Sequence, residues 1–264
     1  MASVMIKDVG KTFEGKEEQS SYQVFENINL EIHSGEFVSL LGPSGCGKST
    51  LLNIVAGLEK ASNGAVYVGQ NKVIEPGPDR GVVFQEAALM PWLTVLDNVV
   101  FAIRKQYNKE EAKKRALEYL KLVHLSKFTH SYPHELSGGM KQRVAIARAL
   151  ALDPDVLLMD EPFGALDEQT RSMLHRELQA IWQQTKKTII FVTHNIREAI
   201  LLSDKIFLMG VRPGGIIGTF SVDMERPRKT NSLIFNELEE EISQQLAGEI
   251  EKVMKEEMGD GYPS

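Results

Sequence analysis

Two textures of apolar positions alternate along this chain. Short runs dense in Val, Ile, Leu and Phe read as strands at 3–9, 24–32, 37–41, 65–68 and 81–84, then at 156–159, 188–192, 206–209 and 216–220. Elsewhere the apolar residues recur at helical spacing. Between 94 and 125 they are Leu96, Val99, Val100, Ile103, Ala112, Leu117, Leu120 and Val123. Further helices are expected at 138–151 and 168–186, and an acidic helical tail at 232–258. Strands that alternate with helices predict a parallel sheet. The early strands follow one another too closely for crossover helices and are expected to be antiparallel. The helical block interrupts a strand-and-helix core. The expected organisation is one domain over 1–264, with a core from 1–85 and 151–225, a helical subdomain at 86–150 and a tail at 226–264.

One junction in this pattern carries chemistry. The strand 37–41 runs into Gly42-Pro43-Ser44-Gly45-Cys46-Gly47-Lys48-Ser49-Thr50, and a helix follows. Glycine is costly in ordered structure, so three in six positions call for a reason. The spacing of Gly42, Gly47, Lys48 and Ser49 fits a phosphate-binding loop. Backbone N–H groups point at phosphate oxygens there, and side chains would obstruct them. The helix start adds its positive dipole end. Lys48 is expected to reach the terminal phosphates, and the Ser49 hydroxyl to take Mg²⁺. The loop implies ATP or GTP.

A second strand, 156–159, ends in Asp160 and Glu161. A buried strand delivers such acids to the carboxyl edge of the sheet, where open α/β folds bind ligands. Asp160 is expected in the Mg²⁺ shell, and Glu161 beside a water in line with the γ-phosphate. His194 ends the strand 188–192 with Thr193 and precedes a helix, so it is placed to orient that water. Gln85 follows the strand 81–84 and could ligate Mg²⁺ and report the γ-phosphate to the helical block.

Composition narrows the class. The formal net charge is −6, which argues against a nucleic-acid partner. No apolar stretch approaches the roughly 18 residues that span a bilayer, and the N-terminus lacks a signal-peptide core. The one cysteine, Cys46, excludes an internal disulfide. A soluble protein in a reducing compartment is expected, with Cys46 structural or incidental.

Leu136-Ser137-Gly138-Gly139-Met140-Lys141-Gln142-Arg143 opens a helix, with Ser137 a good N-cap. Its N–H groups make a second anion site, for which one nucleotide in one chain has no obvious need. Here the chain resembles the ATP-binding subunits of ATP-binding cassette transporters. Phosphate loop, Gln85, this signature, Asp160-Glu161, Ala165-Leu166-Asp167 and His194 follow the family order, over about residues 3–225. The stretch before Leu166-Asp167 reads Phe-Gly-Ala where many relatives have Ser-Ala. The resemblance implies a P-loop NTPase (RecA-like) α/β core with an N-terminal antiparallel β subdomain and an inserted α-helical signature subdomain. It implies ATP and Mg²⁺, and a dimer in which Ser137, Gly138, Gly139 and Asp167 of one copy face the ATP held by the other.

The runs 76–85 and 89–98 resemble importers of nitrate, sulfonate, taurine and bicarbonate type. That implies an integral membrane permease docked through a coupling helix near Gln85, Leu89, Met90 and Trp92. It also implies a separate solute-binding protein and a place at the cytoplasmic face of the membrane. Subdomain core is the other reading of Met90 and Trp92. The family stacks adenine on an aromatic that aligns with Phe13; Tyr22, beyond the polar stretch 14–21, competes with it. The rivals are a soluble cassette ATPase acting on nucleic acid or ribosomes, and a non-enzymatic nucleotide-gated module.

Overall fold

The structure, a computed structural model, describes residues 1–14, 21–211 and 214–258. Most of the polar stretch 14–21 and the end of the tail, 259–264, lie outside the described residues. In chain order the elements begin with β1 (Val4–Phe13), β2 (Tyr22–Ile32), β3 (Phe37–Leu41), α1 (Lys48–Ala56), β4 (Asn63–Val68), β5 (Asn71–Lys72) and β6 (Arg80–Val83). Next come α2 (Val95–Ile103), α3 (Lys109–Leu122), α4 (Gly138–Ala151), β7 (Val156–Asp160) and α5 (Glu168–Thr185). Last are β8 (Thr188–Thr193), α6 (Ile196–Leu202), β9 (Lys205–Met209), β10 (Ile216–Ser221) and α7 (Leu233–Met258). Their contacts gather into two units, residues 2–75 with 190–264, and residue 1 with 76–189.

In the first unit, an antiparallel sheet has the order β2-β1-β4-β5. A second sheet segment runs β10-β9-β3-β8, with β3 parallel to β9 and β10 antiparallel to it. All five residues of β3 are buried, as its continuous apolar run requires of a central parallel strand. The antiparallel expectation for the early strands therefore holds for β1, β2 and β4 but fails for β3 and β6. Those two pair with β9 and β7, which arrive much later in the chain. Spacing to the next strand says nothing when the partner is remote.

The acidic tail is docked in this unit. Phe235 and Ile242 of α7 are fully buried with Ile206, Leu208 and Phe220. Before α7, Arg228 lies buried at the carboxyl end of α6. Its guanidinium donates to the carbonyls of Ile200, Leu201, Ser203, Val222 and Met224. Burial and nearby Arg226 pull its pKa down to about 10, which leaves it charged at pH 7.

In the second unit, β6 pairs with β7 in parallel, and α4 packs on α2 and α3. The long helical stripe of 94–125 is two helices, because Asn108 caps α3 through the N–H of Glu111. Thr94, Ser137 and Asp167 cap α2, α4 and α5 in the same way. Among the described residues no helix is long and apolar enough to cross a membrane.

Removing Arg228 strands several buried carbonyls at once, each worth about 1–3 kcal/mol when unsatisfied. Arg228→Met is expected to cost at least about 3 kcal/mol on that scale. Urea unfolding followed by circular dichroism measures it, and a loss below about 1 kcal/mol would contradict this role.

Candidate functional site

The glycine-rich loop lies in the first unit, between β3 and α1. Gly45 and Gly47 take left-handed φ values of +80° and +100°, which side chains rarely adopt. Gly47 is the N-cap of α1, and no side chain caps this helix. By contrast α2 to α6 all carry a side-chain cap, that of α6 coming from Asn195. The first turn of α1 thus presents N–H groups that no capping side chain takes, as an anion site needs. Lys48 is buried, and its ammonium donates to the carbonyls of Gly42 (2.8 Å) and Pro43 (2.7 Å). Its charge is held inside the curl of the loop. Ser44, Gly45 and Ser49 are exposed, and Pro43 and Thr50 half-buried.

Two of the loop glycines, Gly42 and Gly47, leave no room for a Cβ. A Cβ on Gly42 would come within 2.6 Å of the Met209 carbonyl oxygen. One on Gly47 would meet Val24 and Phe25, each at 2.7 Å. Cys46 is fully buried between these contacts, and burial pushes its thiol pKa up, against the lowering pull of Lys48. It is a space-filling thiol, in line with a structural role.

A β-bulge creates the contact with Gly47. Lys11 lies opposite Phe25 and Thr12 opposite Gln23, so Val24 is the extra residue of β2. Two residues further along, Phe13 and Tyr22 are directly opposite and both exposed, at 42% and 36%. The two aromatic candidates are therefore cross-strand neighbours on one face. His194, in the same unit, is exposed between two pinned residues. The Thr193 hydroxyl bonds the buried Glu198 carboxylate and accepts the Asn195 N–H at 3.0 Å.

Gln85, Asp160, Glu161, the signature and Asp167 belong to the second unit. Asp160 ends β7, and Glu161 follows in the left-handed region, φ +41°. Such backbone strain is concentrated at functional sites. Gln85 and Glu161 converge over Gly164, where a Cβ would have Gln85 Nε2 at 3.6 Å and Glu161 Oε2 at 3.7 Å. The signature glycines admit the next loop. A Cβ on Gly138 would approach Leu166 at 3.2 Å, and one on Gly139 would strike Thr170 at 2.5 Å. Ser137 accepts the Met140 N–H. Asp167 accepts the Thr170 N–H at 3.0 Å, and that bond holds its carboxyl below the usual range.

Three supporting residues were missed in sequence reading. Gln142 on α4 donates to the Phe84 carbonyl, just before Gln85. Arg148, one helical stretch on, donates to the carbonyls of Ala87 and Ala88. Asn98 is buried and exchanges bonds with both backbone groups of Met90, then donates to Leu93 and Thr94. The signal for Asn98 was a lone amide on the apolar stripe of α2. With the loop held from below, Trp92 is left 73% exposed and is not core, while Leu89 and Met90 are partly buried.

A family profile described as ABC transporter matches residues 25–164. An aliphatic sulfonates import ATP-binding protein of Bacillus cereus is 46% identical over 246 residues, covering 92% of this chain and 96% of its own. A nitrate import ATP-binding protein of Synechococcus elongatus is 43% identical over 230 residues, 86% of this chain and 83% of its own. Among solved structures, a dimeric post-hydrolysis ATP-binding cassette bound to ADP and Pi aligns with a TM-score of 0.74 and 38% identity, covering 84% of this chain and all of that one.

Gly47→Ala introduces a Cβ where backbone and bulge leave none. ATP affinity is expected to fall at least about tenfold, about 1.4 kcal/mol, with the circular dichroism spectrum unchanged. Isothermal calorimetry reads it, and wild-type affinity would remove the close-packing account of this glycine.

Proposed function

Because the chain belongs to the ABC transporter ATP-binding family, we propose that two copies enclose two ATP molecules and drive a separate membrane permease as an importer's ATPase. The observation that supports this best is the uncapped start of α1 behind the left-handed glycines, a ready phosphate site. A second glycine-flanked helix start, that of α4, is left for a partner's nucleotide.

Lys48 exchanges its loop carbonyls for terminal phosphate oxygens, and the loop N–H groups hold the rest. Phe13 carries the adenine, with Tyr22 beside it. Glu161 positions and polarises the attacking water, His194 orients it toward the γ-phosphate, and Gln85 relays the phosphate state to the helical block. Ser49, Gln85 and Asp160 offer hydroxyl, amide and carboxylate oxygens, the hard donors that suit Mg²⁺. When bound there, the ion offsets phosphate charge. Ser137, Gly138, Gly139 and Asp167 complete the site of the other copy.

The exposed Trp92, with Leu89 and Met90, receives a coupling helix of the permease, at the cytoplasmic face of the membrane. A separate solute-binding protein delivers the cargo. The named relatives support a small anion such as nitrate, sulfonate, taurine or bicarbonate as that cargo.

Glu161→Gln is expected to keep ATP binding and lose turnover by about 10²-fold, roughly 2.7 kcal/mol of barrier. It should also accumulate as a dimer with ATP and Mg²⁺ on size exclusion. Near-normal hydrolysis would exclude the role given to Glu161.

The shared sites are tested by mixing Lys48→Ala chains with Ser137→Arg chains, each inactive alone. Mixed dimers make up about half the total at equal concentrations, and each holds one intact site. If the sites act independently, activity recovers to roughly a quarter of wild type. Mixed dimers that form but occlude no ATP would count against a site shared between copies.

A further inference from the structure

The ammonium of Lys11 lies beside the candidate base site with three partners. It donates to Glu59 Oε1 at 2.8 Å and to the Lys60 carbonyl at 2.9 Å. It also lies 4.5 Å from the centroid of the Phe13 ring. Two of the ammonium's three donors go to these oxygens, and its charge faces the Phe13 ring. The side chain is buried although Phe13 itself is 42% exposed. Glu59 follows the C-cap Gly57 of α1, so the pair ties β1 to the far end of the helix that begins at the phosphate loop. The hydrogen bond from Lys11 is the main reason the Glu59 carboxyl is held below its usual range.

We infer that Lys11 is a positioning residue for the nucleotide base, holding one face of the Phe13 ring so that the other face is fixed and open for stacking. The inference rests on the reading of Phe13 as the adenine platform and deepens it. An exposed phenyl ring on a strand end would otherwise turn among rotamers, and ordering it on binding would cost affinity. The cation fixes the ring beforehand and draws electron density toward the covered face, which suits an electron-rich purine on the opposite one. Because the same ammonium is bonded to Glu59 and the Lys60 carbonyl, the platform also keeps a set position relative to α1. No contact between Lys11 and the phosphates is involved.

That last point provides the test. Binding of ATP and of inorganic tripolyphosphate, which has no base, is measured by calorimetry on the full chain at fixed Mg²⁺. Phe13→Ala should weaken ATP about tenfold and leave tripolyphosphate unchanged. Lys11→Met should weaken ATP about three- to fivefold, also with tripolyphosphate unchanged. Lys11→Arg, which retains a cation over the ring, should restore most of the loss. Lys11→Met placed on Phe13→Ala should add nothing.

Equal loss of ATP and tripolyphosphate in Lys11→Met would overturn the inference, since a general tie between β1 and α1 would then be the whole effect. An undiminished Lys11→Met effect in the Phe13→Ala background would overturn it as well. If Phe13→Ala leaves ATP binding unchanged while Tyr22→Ala weakens it, the platform reading itself fails, and the inference falls with it.

Discussion

The absence of space beneath the phosphate loop is the constraint on which the first unit depends. Three chain segments remote in sequence converge there. The end of β9 offers the Met209 carbonyl to Gly42, the bulge of β2 sets Val24 and Phe25 against Gly47, and Gly214 lies where a Cβ would be 2.7 Å from the Cys46 carbonyl. Gly214 is itself bonded to β2, donating its N–H to the Val24 carbonyl. The loop cannot move inward, so its N–H groups have one direction left to face. Close packing of this kind resists small displacements, and that rigidity prepares an anion site without a capping side chain.

The second unit solves a different problem, that of holding an irregular stretch in place. Residues 85–94 have no ladder or helix to satisfy their backbone, and buried unpaired groups of that kind are costly. Side chains supply the bonds instead: Gln142 and Arg148 from α4, and Asn98 from α2. Gln85 and Trp92 can then stay at the surface while the backbone beneath them is fixed. Both donors on α4 descend from the helix that the signature opens, so the sequence with glycines at its start also supports the stretch that follows β6.

Strand and helix types were legible because β3, β7 and β8 are continuous apolar runs and α4 and α5 carry strong caps. The phosphate loop was legible for the same local reason, since glycine spacing and a lysine lie within nine residues. Partner choice was not local. Nothing in the residues around Phe37 says that it pairs with a strand near Lys205, and the antiparallel expectation failed there. The β-bulge at Val24 was also invisible, because an extra residue shows only against its partner's register. It is the same bulge that puts Phe13 opposite Tyr22, two residues that sequence alone could only set in competition. Asn98, Gln142 and Arg148 escaped because their partners are backbone groups, which leave no mark in a sequence.

The docked tail has a colloidal consequence. Between 233 and 258 the chain carries eight glutamates and two lysines, a balance of −6 that equals the formal charge of the whole protein. The rest of the chain is close to electrically neutral, a state in which proteins associate and precipitate most readily. Phe235 and Ile242 anchor the helix in the core, so the glutamates between 237 and 249 ride on the folded unit rather than on a trailing segment. Any subunit made before its membrane partner is available would depend on mutual repulsion between these helices to remain dispersed.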